Sequence, residues 1–418
     1  MKRFWKRLIL PLLISSALNN FVQAQVTGGN PLPTQQQLSH LSLERAWWSH
    51  AVINPQRDKV EHVTVDEDLV YVQATSGVMT AFDAENGRQI WSVQVGRFDQ
   101  PSFAATSNED EVLTVNGGSM YGIDKATGRV LWNLVLPGQP STGPSVDDDQ
   151  VYFGTLDGSV YAYDLKKIHK LYEERRLPKW SGQAQVWKSK AAKEITSPPM
   201  PVGRFVYFAS RDASLYSVAK SNRKLIYQFE TDGPIVAPLA RSGDTLFVAS
   251  DDNNFMALML TSGKVKWEFT SGLPIRKPIR AIGQDLYVFP QRGGMYSLDP
   301  ASGNQRWSQP DLSEFVAIMG DTVATTDVDG NIVLVNRAKG EILGSMPLRR
   351  FSVRVGNERT DRIYMATESG VVMCLRQIGH NFPVFHQYPD RLPLLPEFAP
   401  EDGQEEPSAT KDESEAGS

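Results

Sequence analysis

Four stretches of this chain end on the same phrase. AFDAENGRQIW runs from Ala81 to Trp91, GIDKATGRVLW from Gly122 to Trp132, ALMLTSGKVKW from Ala257 to Trp267 and SLDPASGNQRW from Ser297 to Trp307. In each, a glycine sits four residues before the tryptophan, and in three of them an aspartate sits four before the glycine. A phrase that returns about every forty residues marks one array of like units rather than a set of unrelated domains. Between the phrases lie short runs rich in β-branched and aromatic residues, such as LVYVQAT (69–75) and VMTAFD (78–83), with glycine and proline at close intervals. Long helical periodicity is nearly absent, so the units are built from strands.

Aligning each unit on its first tight turn gives Gly77, Gly118, Gly158, Ala213, Asn253, Gly293, Gly330 and Gly370. Six of the seven steps between units are therefore 37 to 41 residues and one is 55, which makes eight units in all. Four strands per unit at this period is the signature of a propeller blade. The expected fold is all-β, an eight-bladed β-propeller of four-stranded antiparallel blades over residues 47–387. The long step places an insertion between the last two strands of the third blade, because its tryptophan is delayed to Trp187. That insertion, Lys166 to Trp180, is rich in lysine and arginine and reads as a solvated loop or short helix, or as a contact device. Pro144, Pro199, Pro238 and Pro278 fall where inner strands begin, on an edge that tolerates a missing N–H.

The eighth unit has no glycine–tryptophan pair to supply its outer strand. AWWSHAV (46–52) has the look of an outer strand without a unit of its own, and pairing the two would close the ring. Asn381–Gln387 is the competing candidate for that strand.

The ends differ from the body. Residues 1–24 read as a signal peptide: Lys2, Arg3, Lys6 and Arg7, then an apolar run, then Val22-Gln23-Ala24. The apolar run is far shorter than the roughly 20 residues that span a bilayer. Residues 25–46 form a leader with a short helix, which Thr34 and Gln37 can cap reciprocally. Residues 388–418 are acidic and proline-rich, with nine acidic and two basic residues from Asp390 onward, a composition expected to stay disordered. Opposite charge makes that tail a candidate to associate with the basic insertion. The formal charge of -5 argues against a nucleic-acid partner. Cys374 is alone, so no internal disulfide forms, and no cysteine follows Ala24 to carry a lipid. The expected product is exported, periplasmic or envelope-associated, or else secreted, and monomeric.

The fixed positions A-x-D-x-x-T-G-x-x-x-W resemble the repeat of the pyrroloquinoline-quinone-type propellers, from about Trp47 to Gln377. In physical terms the glycine supplies a positive φ, the aspartate bonds the turn backbone, and the tryptophan can bury about 150 to 250 Å² against a neighbour. Trp91, Trp132, Trp187, Trp267 and Trp307 are accordingly expected to dock blades together. The resemblance implies either a quinone-dependent dehydrogenase or a non-enzymatic scaffold similar to the propeller subunit of the BAM outer-membrane assembly machinery. The dehydrogenases of that fold use a vicinal disulfide under the quinone, a Ca²⁺ ion and long lid insertions, and this chain offers none of the corresponding motifs.

Other chemistry is thinly represented. Thr326–Asn331 (TDVDGN) imitates the start of a calcium loop but lacks the later acidic ligands and falls at a blade's tight turn. Asp251–Asn254 reads as a turn. His40, His50, His62, His169, His380 and His386 show no metal-ligand spacing, and there is no nucleophile elbow or phosphate loop. No catalytic residue, metal or cofactor is expected. The candidate site is a partner-binding loop, SGLPIRKPIR, in which Leu273 and Ile275 accompany Arg276, Lys277 and Arg280 in an inter-blade connection. The resemblance gives it a counterpart, the apolar and basic loop by which the BAM propeller grips its barrel partner. The partner expected is an envelope or outer-membrane protein; carbohydrate binding through channel aromatics is the remaining alternative.

Overall fold

The computed structural model describes residues 32–386; the signal peptide expected over 1–24, most of the expected leader before Leu32 and the acidic residues after 386 lie outside the described residues. Thirty-two strands form eight four-stranded antiparallel sheets, the blades of a propeller. Blade 1 comprises Val60–Val65, Leu69–Ala74, Val78–Asp83 and Gln89–Gln94, from the channel outward. Blades 2 to 7 follow in chain order with inner strands Ser102–Ser107, Ser145–Val146, Met200–Val202, Ala240–Ser242, Arg280–Ile282 and Leu312–Met319. Each of the prolines at 144, 199, 238 and 278 lies one or two residues before an inner strand.

Blade 8 contains Val353–Arg354, Ile363–Ala366 and Val371–Gln377, and its outer strand is Leu43–His50 from the start of the described chain. The ring is therefore closed by the N-terminal strand, tied further by Arg376 Nε donating to Glu44 Oε1 at 2.7 Å. Just before it, helix α1 (Gln35–Ser39) carries the reciprocal cap, Gln37 N–H to the Thr34 hydroxyl and Thr34 N–H to the Gln37 amide oxygen. The competing closing segment is placed elsewhere: Phe385 bridges Thr360, and His386 N–H donates to Arg359 O.

Burial follows position in the blade. Second strands such as Glu111–Asn116 and Thr245–Ala249 are buried throughout. Both faces of the second strand are sandwiched by neighbouring blades, so it shows no alternation. Outer strands such as Val265–Thr270 alternate, because one face is open to water.

Each fixed position of the repeat has a steric reason. Across the third and fourth strands the tryptophan sits opposite a small residue: Ala81 opposite Trp91, Gly122 opposite Trp132, Ala162 opposite Trp187, Ala257 opposite Trp267 and Ser297 opposite Trp307. In blade 8 the small residue is Cys374, opposite Trp47. Blade 7 reverses the volumes, with Leu334 opposite Gly344. Asp83, Asp124 and Asp299 accept two backbone N–H groups each from the turn that follows.

Two tight turns differ by one residue from the alignment: the left-handed residues are Gly117 and Gly294, not Gly118 and Gly293. In blades 4 and 5 Ala213 and Asn253 adopt positive φ (66° and 73°) without glycine. The insertion in blade 3 is helical. Helix α2 (Leu165–Glu173) starts from Asp164, whose carboxylate caps Lys167 N–H, and α3 (Leu177–Trp180) follows.

A segment not foreseen from the repeat, 355–362, leaves the inner edge of blade 8 and lies along blade 7. Asn357 N–H donates to Val316 O at 2.7 Å, and its side-chain oxygen accepts from the backbone N–H groups of Arg359 and Thr360. Arg362, fully buried, pairs with Asp361 at 3.0 Å and Glu85 at 3.2 Å, and Asp361 also accepts Val384 N–H.

Candidate functional site

Between blades, the indole N–H groups reach backbone carbonyls of the next blade's turn. Trp47 donates to Ala84 O (2.8 Å), Trp91 to Lys125 O (2.8 Å), Trp187 to Lys220 O (2.7 Å), Trp267 to Pro300 O (3.1 Å) and Trp307 to Arg337 O (2.9 Å). In blade 4 Tyr227 takes the same place, its hydroxyl donating to Leu260 O at 3.2 Å. Turn glycines lie against the ring of the preceding blade, Gly87 on Trp47, Gly128 on Trp91 and Gly303 on Trp267, so a Cβ there would strike the indole. Trp47 and Tyr227 were missed in the sequence. Trp47 stands 37 residues before its acceptor, Ala84, close to the interval of the others, and that spacing could have found it.

Trp132 departs from the series. The corresponding carbonyl would be that of Leu165, which begins α2 and is committed to the helix. Trp132 donates instead to Glu111 Oε2 at 2.8 Å, and the other oxygen of Glu111 meets His169 Nε2 of α2 at 2.5 Å. Glu111 is buried, and its hydrogen bond raises the His169 pKa above the ordinary value, against the opposing effect of burial. Leu165, Ile168, Leu171 and Leu177 are buried against blade 2, while Lys166, Lys170 and Trp180 face solvent. Arg176 covers the Trp180 ring at 5.4 Å. The insertion thus keeps a basic, aromatic outer surface beside blade 2.

The loop from Ser271 to Arg280 is divided by its packing. Leu273 is 39% exposed, whereas Ile275 is fully buried in the core between blades 5 and 6 and bridges Pro290. Ile275 is thus no part of the exposed surface expected. Its burial is a property of the repeat: Ile195, Ile235 and Ile275 recur forty residues apart and are all buried. Arg276 forms a two-pronged pair with Asp251 (both 2.8 Å) at the surface. Lys277 turns away to Ser313, and Arg280 points into the channel, where it meets Glu358 at 2.5 Å. Of the five residues, Leu273 and Arg276 are the exposed ones, and the other three are buried or half-buried.

The metal-like string is a hairpin: one oxygen of Asp327 accepts Asp329 and Asn331 N–H, and the other accepts the Asn331 amide. Cys374 is buried, and burial pushes its thiol well above the usual range, as suits an inert small side chain. Among the described residues no helix is long and apolar enough to cross a membrane.

Eight four-stranded blades joined by an aspartate–glycine turn and a tryptophan define a propeller of the quinoprotein-like repeat class. Within it, the family model described as outer membrane protein assembly factor BamB matches residues 44–108, 100–183 and 179–365, and the chain belongs to that family. It is 26% identical to the outer membrane protein assembly factor BamB of Burkholderia pseudomallei over 179 residues, 41% of this chain and 46% of that protein. It is 28% identical over 111 residues to quinohemoprotein alcohol dehydrogenase ADH-IIG of Pseudomonas putida, 24% of this chain and 16% of that one. These alignments span less than half the length of the curated relatives. Among solved structures, BamB from Moraxella catarrhalis superposes with a TM-score of 0.62 over 81% of this chain and 98% of that one, at 15% identity, a likeness of fold.

Proposed function

We propose that the protein is a non-enzymatic scaffold of the bacterial cell envelope that binds a protein partner in outer-membrane protein assembly. The observation that carries this reading is the family match from residue 44 to residue 365, which takes in strands of all eight blades. Leu273 and Arg276, both exposed on the same inter-blade loop, are the residues proposed to meet the partner, since exposed leucine and arginine in one loop suit a protein interface. Trp91, Trp132, Trp187, Trp267 and Trp307 serve as joints between blades, holding that surface in place. Export by the 1–24 segment, a periplasmic location and a monomeric state complete the proposal. Lys277, Arg280 and Ile275 support the loop from within rather than contact the partner.

Affinity capture from envelope extracts tests it. The wild-type chain is expected to retain an outer-membrane component that Leu273→Asp combined with Arg276→Glu loses. Recovery of the same set by the double variant would remove the loop, and recovery of no outer-membrane component would remove the assembly role. The local similarity to an alcohol dehydrogenase favours one other reading, a quinone-dependent oxidoreductase. Stoichiometric uptake of pyrroloquinoline quinone with Ca²⁺, read by absorbance, would replace the scaffold with that enzyme.

A further inference from the structure

The central channel holds a cavity of about 450 Å³ whose lining includes Arg280, Arg354 and Arg359 with the hydroxyls of Thr64 and Thr106. One carboxylate, Glu358, lines the same space, and Arg280 occupies it at 2.5 Å. Arg280 can lie there because residue 356 is glycine: a Cβ at Gly356 would strike the guanidinium. Arg354 reaches back to Gly330 O at 2.6 Å but has no carboxylate within ion-pair distance, and its Nε is buried without a partner. Burial lowers the proton affinity of that guanidinium, and Glu314 and Asp327 act on it only through space. The Thr64 hydroxyl is likewise buried and unpartnered. No hydrogen bond or ion pair of the Arg359 side chain is present among the described residues. Of the three arginines lining a space large enough for a small molecule, Arg280 is taken by Glu358, which leaves the Arg354 and Arg359 guanidiniums without an ion-pair partner among the described residues. Guanidiniums without a carboxylate partner in a recessed, partly exposed wall are free to bind an anion through charge-assisted hydrogen bonds.

We propose that this compartment binds a compact doubly charged oxyanion, a phosphate or a small dicarboxylate, whose oxygens complement the planar guanidinium forks. The inference stands apart from the assembly role, since it uses none of the residues on the outer loop surface. Calorimetric titration of the full chain with inorganic phosphate and, separately, with malonate tests it, with sodium chloride holding ionic strength constant. A one-site isotherm with either anion is expected, and the preferred one identifies phosphate or carboxylate chemistry. Arg359→Gln, which removes no structural bond, should weaken the binding by about tenfold or more; Arg354→Gln should do the same, with circular dichroism to establish that it folds. The absence of saturable heat with both anions, or an unchanged dissociation constant in Arg359→Gln, would overturn the proposal.

Discussion

Ile275 and Leu273 are two residues apart, both apolar, and respond to opposite environments. Replacing Ile275 with aspartate puts a charge without a partner into the blade 5–6 core and should cost at least about 3 kcal/mol, read as a lowered denaturation midpoint. Leu273→Asp should change stability by no more than about 0.5 kcal/mol, being at the surface. Arg362 is a second sensitive position: Arg362→Met removes the arginine partner of the buried Asp361 carboxylate and of Glu85, an expected loss of about 3 to 5 kcal/mol in chemical denaturation. Legibility at this scale depended on whether a residue's role is repeated. The motif positions could be read because the same steric demand recurs in many blades. Ile275 could also have been read this way, from Ile195 and Ile235, but within its own loop it looks like an exposed apolar residue. Arg362 could not, since GNERTDR has the composition of a surface loop and is buried only because its polar groups pair with one another and with Glu85 and Asn381.

The insertion of blade 3 shows what an element added to a repeat must displace. Its position was evident from the delayed Trp187; its attachment was not, because α2 uses the carbonyl that a docking tryptophan would otherwise have taken. The replacement contact makes the attachment titratable. His169 has a folded pKa above its unfolded value of about 6.5, so protonation favours the docked helix. The stabilisation is fully present below the unfolded pKa and is lost as pH rises through the folded one. Amide exchange in 165–184, corrected for intrinsic rates, should accordingly be slower at about pH 5.5 than at about pH 8.5. His169→Phe should abolish the difference; its persistence in that variant would assign the effect to another group.

Over the whole molecule, blade count and ring closure were legible because closure leaves a deficit in the last unit that the N-terminal strand fills. The lining of the channel was not, because segment 355–362 leaves the repeat between the first two strands of blade 8 and turns toward blade 7. Closure also has a measurable signature: Cys374 lies directly beneath Trp47 in the register of the closing strand. A chain starting at Ile53 should expose this thiol to a thiol-specific reagent, whereas the full chain should leave it unreacted until denatured. The residues joined at closure, such as Glu44 and Arg376, are 332 apart in sequence. Bringing such distant ends together costs on the order of 5 kcal/mol of chain entropy, recovered only when blade 8 exists to receive the strand. The segment made first must therefore wait for the segment made last. Until then its two tryptophans have no blade to join, and a chain caught midway through synthesis is an open ribbon whose single cysteine records, by its reactivity, that the ring has not yet shut.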